Sequence, residues 1–191
     1  MKLQLMDCTL RDGANVVGKG FSAELTDMVL DGLTASRVPI IEFGNAGGIG
    51  AYEVAGFTDA LTDEEYLNIS KKYLNRSSML GMFLNAKRYR EKNGDLAAEN
   101  GLSFLRVGAD AGDGEIAVKA IGDIKKRKMK AFYSAMKAYI LTPDELAEEG
   151  KETIQVLVER MNVSHIAEQM KNLEAYNQEI AKRCPWVPFA Q

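Results

Sequence analysis

Leu3-Gln4-Leu5-Met6-Asp7-Cys8-Thr9-Leu10-Arg11-Asp12-Gly13 is the stretch on which the reading of this chain turns. Leu3 to Met6 alternates apolar and polar residues, the period of a strand. Arg11, Asp12 and Gly13 then follow at its carboxyl end, and Ala14 to Gly20 form a loop before a helix that opens at Ser22. The stretch sets a fixed cation beside a carboxylate where a strand gives way to a glycine-loosened loop. In barrels of parallel βα units that edge carries the catalytic groups. By itself the Arg–Asp pair has two readings. It is a structural ion pair at a strand end, or the Asp binds a divalent cation while the Arg stabilises oxyanion charge on an enolate.

Working outward, strand and helix signals alternate, the pattern of parallel βαβ units. Ser22 caps a helix to about Arg37, with Leu25, Met28, Val29 and Leu33 on one face, and Pro39 introduces the apolar strand Ile40 to Phe43. Thr62-Asp63-Glu64-Glu65 is a capping-box signature opening a helix to about Asn75. Met79 to Leu84 reads as a third strand, Ala86 to Asn100 as a helix stopped by Gly101, and Phe104 to Val107 as a fourth strand. A helix from Glu115 to about Arg127 and a fifth strand, Ala131 to Met136, follow. Thr142-Pro143-Asp144-Glu145 opens the next helix, with Pro in the first turn. That makes five βα units without a long linker. After Gly150 the character changes to two amphipathic helical stripes, Ile154 to Met161 and Ile166 to Ile180, and no sixth strand is evident. A complete eight-unit barrel needs about 250 residues, and the chain has 191. The expected fold is therefore α/β, a partial TIM barrel of about five parallel strands with a C-terminal helical tail.

Composition narrows the function. A net charge of −3 gives no general pull toward nucleic acid or an anionic membrane. No apolar run approaches a membrane span, and Met1 to Leu10 lacks the basic start of a signal peptide. Cys8 and Cys184 lie far apart without metal-ligand spacing, so they read as two reduced thiols in a cytoplasmic protein. Gly44-Asn45-Ala46-Gly47-Gly48-Ile49-Gly50 fails the dinucleotide spacing and reads as a flexible active-site loop. Lys125-Lys126-Arg127-Lys128 is a helix end where cations offset the dipole. An open five-strand barrel leaves sheet edges uncovered, which predicts a homo-oligomer.

The string Asp7-Cys8-Thr9-Leu10-Arg11-Asp12-Gly13 resembles the signature of the DRE-TIM metallolyases, and the aldolase-like branch most closely. The agreement continues through Ile40-Ile41-Glu42-Phe43-Gly44, the Gly- and Ala-rich run Gly44 to Gly56, Phe104-Leu105-Arg106-Val107-Gly108 and Tyr133-Ser134-Ala135-Met136-Lys137. It covers about residues 1–150, which divides the chain into an aldolase-like part, 1–150, and a tail, 151–191. The resemblance implies a carbon–carbon lyase that cleaves a 4-hydroxy-2-oxo acid to pyruvate and an aldehyde with Mn²⁺ or Mg²⁺. It implies Asp12 as a metal ligand, Arg11 as the catalytic group that stabilises the enolate, and a small-molecule 2-oxo acid as partner. Glu42, Arg106 and Lys137 are the substrate-binding candidates. Glu42 either helps to order the site or is an internal salt bridge, and Arg106 and Lys137 either neutralise a substrate carboxylate or pair with Glu42.

The chain departs from the pattern in its histidines. The family completes its metal site with a His pair from a later strand, and its 4-hydroxy-2-oxovalerate aldolases place a His after the Arg-Asp-Gly step. Here Ala14 and Asn15 occupy that loop, and His165, at the start of a tail helix, is the one His in the sequence. Two alternatives follow: a catalytically silent, oligomerising half-barrel, and a Claisen-type acyl-CoA condensing enzyme.

Overall fold

The computed structural model describes residues 4–54 and 56–157. Five parallel strands stand in sequence order: β1 (Met6–Asp7), β2 (Ile40–Glu42), β3 (Met79–Asn85), β4 (Phe104–Asp110) and β5 (Lys130–Met136). Five helices alternate with them: α1 (Ala23–Ala35), α2 (Asp63–Ser70), α3 (Glu91–Glu99), α4 (Gly114–Lys126) and α5 (Pro143–Leu157). The sheet curls into a half-barrel with helices outside it, the expected α/β partial barrel. α5 runs through Gly150, and residues 158–191, with His165, Cys184 and most of the tail stripes, lie outside the described residues.

The period of the strands assigns the two faces. Ile41, Leu80, Met82, Leu84, Leu105, Val107 and Ala109 point outward and form the main core with Ala117, Ala120, Ile121 and Ile124 of α4. The alternate residues, Glu42, Phe83, Arg106 and Phe132, face the inside of the curl. The pairing Phe83↔Arg106↔Phe132 sets three of them in one row. Below that row Phe104 meets Phe132 edge to face at 5.0 Å. Gly81 leaves room there, because a Cβ would stand 2.6 Å from the Phe104 ring.

Caps account for most boundaries. Ser22 Oγ accepts from Leu25 N, and Thr62 and Glu65 form the reciprocal capping box. Gly101, with φ +77°, ends the turn after α3.

Two expectations fail locally. Residues 86–100 are not one helix: Asn85 accepts from Lys87 N at 3.0 Å and holds a single 3-10 turn, Ala86–Arg88. Tyr89 and Arg90 are then extended, and α3 starts at Glu91. α1 buries Thr26, Leu30 and Thr34, while Leu25 and Met28 of the predicted face are 45% and 63% exposed. Thr34 tolerates burial because its hydroxyl donates to Leu30 O at 2.6 Å.

Candidate active site

The site begins where β1 ends. Asp7 accepts from Thr9 N at 2.9 Å and from the Thr9 hydroxyl at 3.2 Å, and Cys8 O accepts from both Arg11 N and Asp12 N. This tight turn carries Arg11 and Asp12 round the carboxyl edge of the sheet. Leu10, 1% exposed, anchors it in the core. Asp12 then opens a single 3-10 turn, Gly13–Asn15.

Glu42, the last residue of β2, is the centre of the arrangement. Its side chain is 0% exposed and held by three guanidinium hydrogen bonds. Arg11 Nε donates to Oε1 at 2.5 Å, while Arg106 donates from Nε to Oε2 at 2.6 Å and from Nη2 to Oε1 at 2.7 Å. Arg106 thus grips the carboxylate as a two-pronged fork. Arg11 Nη1 also pairs with Asp12 Oδ1 at 2.7 Å. Both guanidiniums lie 4.9 Å from the centre of the Phe83 ring, whose face attracts cations. Burial acts to lower the Arg106 pKa, but its hydrogen bonds to Glu42 and the Glu42 charge outweigh it and hold the group above its ordinary value. Burial, then the charge of Glu42, push the neighbouring Cys8 thiol up.

Arg11 Nη2 and Arg106 Nη1 have no hydrogen-bond partner among the described residues, and neither is sealed from solvent. Glu42 and Asp12 together balance the two guanidinium charges, while one nitrogen of each guanidinium keeps its donors free among the described residues. Asp12, with its side chain 68% exposed, stands beside them. The arrangement can bind and stabilise a carboxylate or an enolate oxygen.

Four of the five predicted residues, Arg11, Asp12, Glu42 and Arg106, therefore meet. Lys137 does not pair with Glu42: it sits after β5 with φ +55° and donates to Asp110 Oδ2 at 2.9 Å. Lys87 joins Asp110 at 3.8 Å and Asp113 at 2.7 Å, so Lys137 belongs to a separate ionic cluster beyond β3, β4 and β5. Glu42, read as a substrate contact, has both oxygens taken and no exposed surface. Sequence reasoning missed Phe83, an inward residue of an apolar run, and Asp110, because the strand expected to end at Val107 runs on to Asp110. It also misread the loop after β2. Residues 43–49 are buried, and Gly47, Gly48, Ile49 and Gly50 donate their N–H groups to Asn45 Oδ1, Asn45 O, Phe83 O and Asp63 Oδ2. It is a packed strut rather than a flexible loop.

The chain resembles aldolases. It is 28% identical over 150 residues to 4-hydroxy-2-oxovalerate aldolase of Carboxydothermus hydrogenoformans, a match covering 78% of this chain and 44% of that protein. It is 29% identical over 147 residues to oxaloacetate decarboxylase of Mycobacterium tuberculosis, covering 77% of this chain and 43% of that protein. The chain thus spans less than half the length of these curated relatives. Among solved structures, the N-terminal domain of a candidate aldolase from Bacteroides vulgatus superposes with a TM-score of 0.56 at 16% identity, over 80% of this chain and 60% of that one. That likeness supports the half-barrel fold alone. No family model matches the chain. The similarities point to the DRE-TIM family at low identity and over part of the chain.

The resemblance implies a divalent metal. Among the described residues no three His, Cys, Asp or Glu side chains gather as a metal site. Asp12 is the exposed carboxylate, and Glu42 is consumed by the arginines. The described residues do not by themselves fit a divalent cation, for which one carboxylate is a poor shell.

Proposed function

We propose that this chain is the N-terminal, anion-stabilising part of an aldolase-type carbon–carbon lyase acting on a 4-hydroxy-2-oxo acid, with pyruvate and an aldehyde as products. The observation that carries this reading is the buried Glu42 clamped between Arg11 and Arg106, with free guanidinium nitrogens left at the carboxyl edge. Arg11 offsets charge that develops on the enolate oxygen as the carbon–carbon bond breaks. Arg106 supports the substrate carboxylate, and Glu42 is a positioning residue that fixes both guanidiniums. Lys137, held by Asp110, contributes charge at the rim. Asp12 is the one described group suited to a Mn²⁺ or Mg²⁺ ligand, and no step is routed through a metal that the described residues do not hold. Self-association belongs to the same reading. Among the described residues β1 and β5 are the edges of the sheet, and Leu5, Tyr139 and Ile140 are 64%, 78% and 55% exposed near those ends.

One observation favours a second reading, a catalytically silent half-barrel: the single exposed carboxylate at the site, with Ala14 and Asn15 where a proton-transferring His would stand. Pyruvate release from 4-hydroxy-2-oxovalerate with Mn²⁺, by purified protein, separates the two. Release that Asp12→Asn abolishes and Arg11→Lys lowers at least tenfold supports the lyase, because Lys replaces a planar fork by a point charge. No release above buffer, or equal release by the variants, favours the silent half-barrel.

A further inference from the structure

Next to the Arg11–Asp12 turn lie two cations that the site above does not use. Lys19 closes the loop after that turn, with φ +77° and its carbonyl accepting from Ala46 N at 2.9 Å. Its ammonium donates to Asn15 Oδ1 at 3.2 Å and stands 5.5 Å from the centre of the Phe57 ring. Arg88, in the 3-10 turn after β3, stands 5.7 Å from the centre of the same ring and donates from Nη2 to Gly47 O. Its Nε is buried without a partner. Neither cation forms an ion pair with a carboxylate among the described residues. The neighbouring cations all do: Lys87 with Asp113, and Arg90 and Lys92 with Glu53.

An unpaired, partly desolvated guanidinium is costly, and burial alone pulls the Arg88 pKa below its ordinary value. A ring face offsets part of that cost, and an anion would offset more. A cavity of 160 Å³ opens beside Arg88, with Lys87, Arg90, Gly50 and the ion-paired Glu53 in its wall, while Lys19 and Phe57 are not among the residues that line it. The N–H groups of Gly47 to Gly50 are all donated within the protein, so recognition here falls to side chains, not to a backbone cradle. The loop between the two places is continuous, since Ile49 N bonds Phe83 O at 2.8 Å and the Phe83 ring carries Arg11 and Arg106.

We infer that Lys19 and Arg88, set on Phe57, form a subsite for a second anionic group, a phosphate ester or a second carboxylate, at the far end of the substrate. This assigns the substrate to the doubly anionic 2-oxo acids, and it rests on reading Arg11 and Arg106 as the 2-oxo acid site.

Calorimetric titrations of the full chain with inorganic phosphate, succinate and pyruvate test it, on wild-type protein and on Lys19→Gln, Arg88→Gln and Arg88→Lys. Phosphate or succinate is expected to bind about tenfold more weakly to both Gln variants, with Arg88→Lys in between. Tighter binding of phosphate assigns a phosphate ester, and tighter binding of succinate a dicarboxylate. Pyruvate, which lacks the second anion, binds Lys19→Gln as it binds wild type. Failure of both dianions to bind wild type overturns the inference, as does equal binding to Lys19→Gln and Arg88→Lys with native circular dichroism. Dianion binding that depends on Lys19 and Arg88, without pyruvate binding, keeps the subsite and contradicts the proposed function instead.

Discussion

Glu42 and Asp63 are both buried carboxylates, 0% and 1% exposed, and they are solvated in opposite ways. Glu42 faces the inside of the half-barrel, where three guanidinium hydrogen bonds and two positive charges replace the water it lost. Asp63 begins α2, where Oδ2 accepts from Gly50 N at 2.5 Å and Oδ1 is buried with no partner. Burial, the largest cause, pushes the Asp63 pKa to about 7, with the Gly50 hydrogen bond opposing it. No ion pair reaches it among the described residues; Lys92, whose charge favours its ionised form, is bonded to Glu53. A buried carboxylate is thus stable only with its cations in place, and the sheet supplies them where the helix end does not. The difference marks Glu42 as part of a charged site and Asp63 as a strut of the loop beside it.

The largest effect should come from breaking the clamp. Glu42→Gln leaves the Arg106 guanidinium on Phe83 without a countercharge and Arg11 with the exposed Asp12 alone, and the loss of one partner from a buried pair costs about 3–5 kcal/mol. Chemical denaturation is expected to show that loss. A change below about 1 kcal/mol would mean that the arginines find other partners.

A smaller effect of opposite sign is expected at Asp63. Its folded pKa of about 7 lies above the roughly 3.9 of an unfolded aspartate, so the folded chain holds the proton more tightly. That contribution to stability is fully present below about pH 4 and is lost as the pH rises through 7. Asp63→Asn, which keeps the acceptor for Gly50 N, is expected to raise stability at pH 8 by about 1–2 kcal/mol and to change little at pH 4. Thermal melts at the two pH values check this, and a gain equal at both would show that ionisation is not the cause.

The smallest effect belongs to the exposed cluster. Lys137 and Lys87 hold the Asp110 carboxyl below its usual range, chiefly through the Lys137 hydrogen bond. Both lysine side chains are more than half exposed, and such pairs contribute little. Asp110→Asn should shift the melting temperature by less than about 2 °C. A larger shift would show that the end of β5 depends on Lys137.

The alternation of strand and helix signals made the half-barrel legible, because short apolar runs such as those of β3 and β4 alternate with capped helices along the chain. Caps at Ser22 and Thr62 and the stop at Gly101 were equally local. The pairing of Glu42 with Arg106 was one of two readings left open, since the choice depends on the register that brings β2, β3 and β4 side by side. Phe83 was missed for the same reason: its role depends on two cations from other strands. Of the expected α1 face Val29 and Leu33 pack against the core, while Leu25 and Met28 give way to threonines, Thr34 because its hydroxyl bonds its own helix backbone. The break at Tyr89 follows from one Asn85 side chain competing with the helix, a choice the 3.6-residue period does not register.

The central claim is that the clamp presents guanidinium donors to a 2-oxo acid. Calorimetric titration of pyruvate into wild-type and Arg11→Lys protein, at one pH and salt concentration, tests it most directly. The account predicts binding to wild type and at least tenfold weaker binding to Arg11→Lys. Equal binding by the two proteins, or none by a correctly folded wild type, would contradict it.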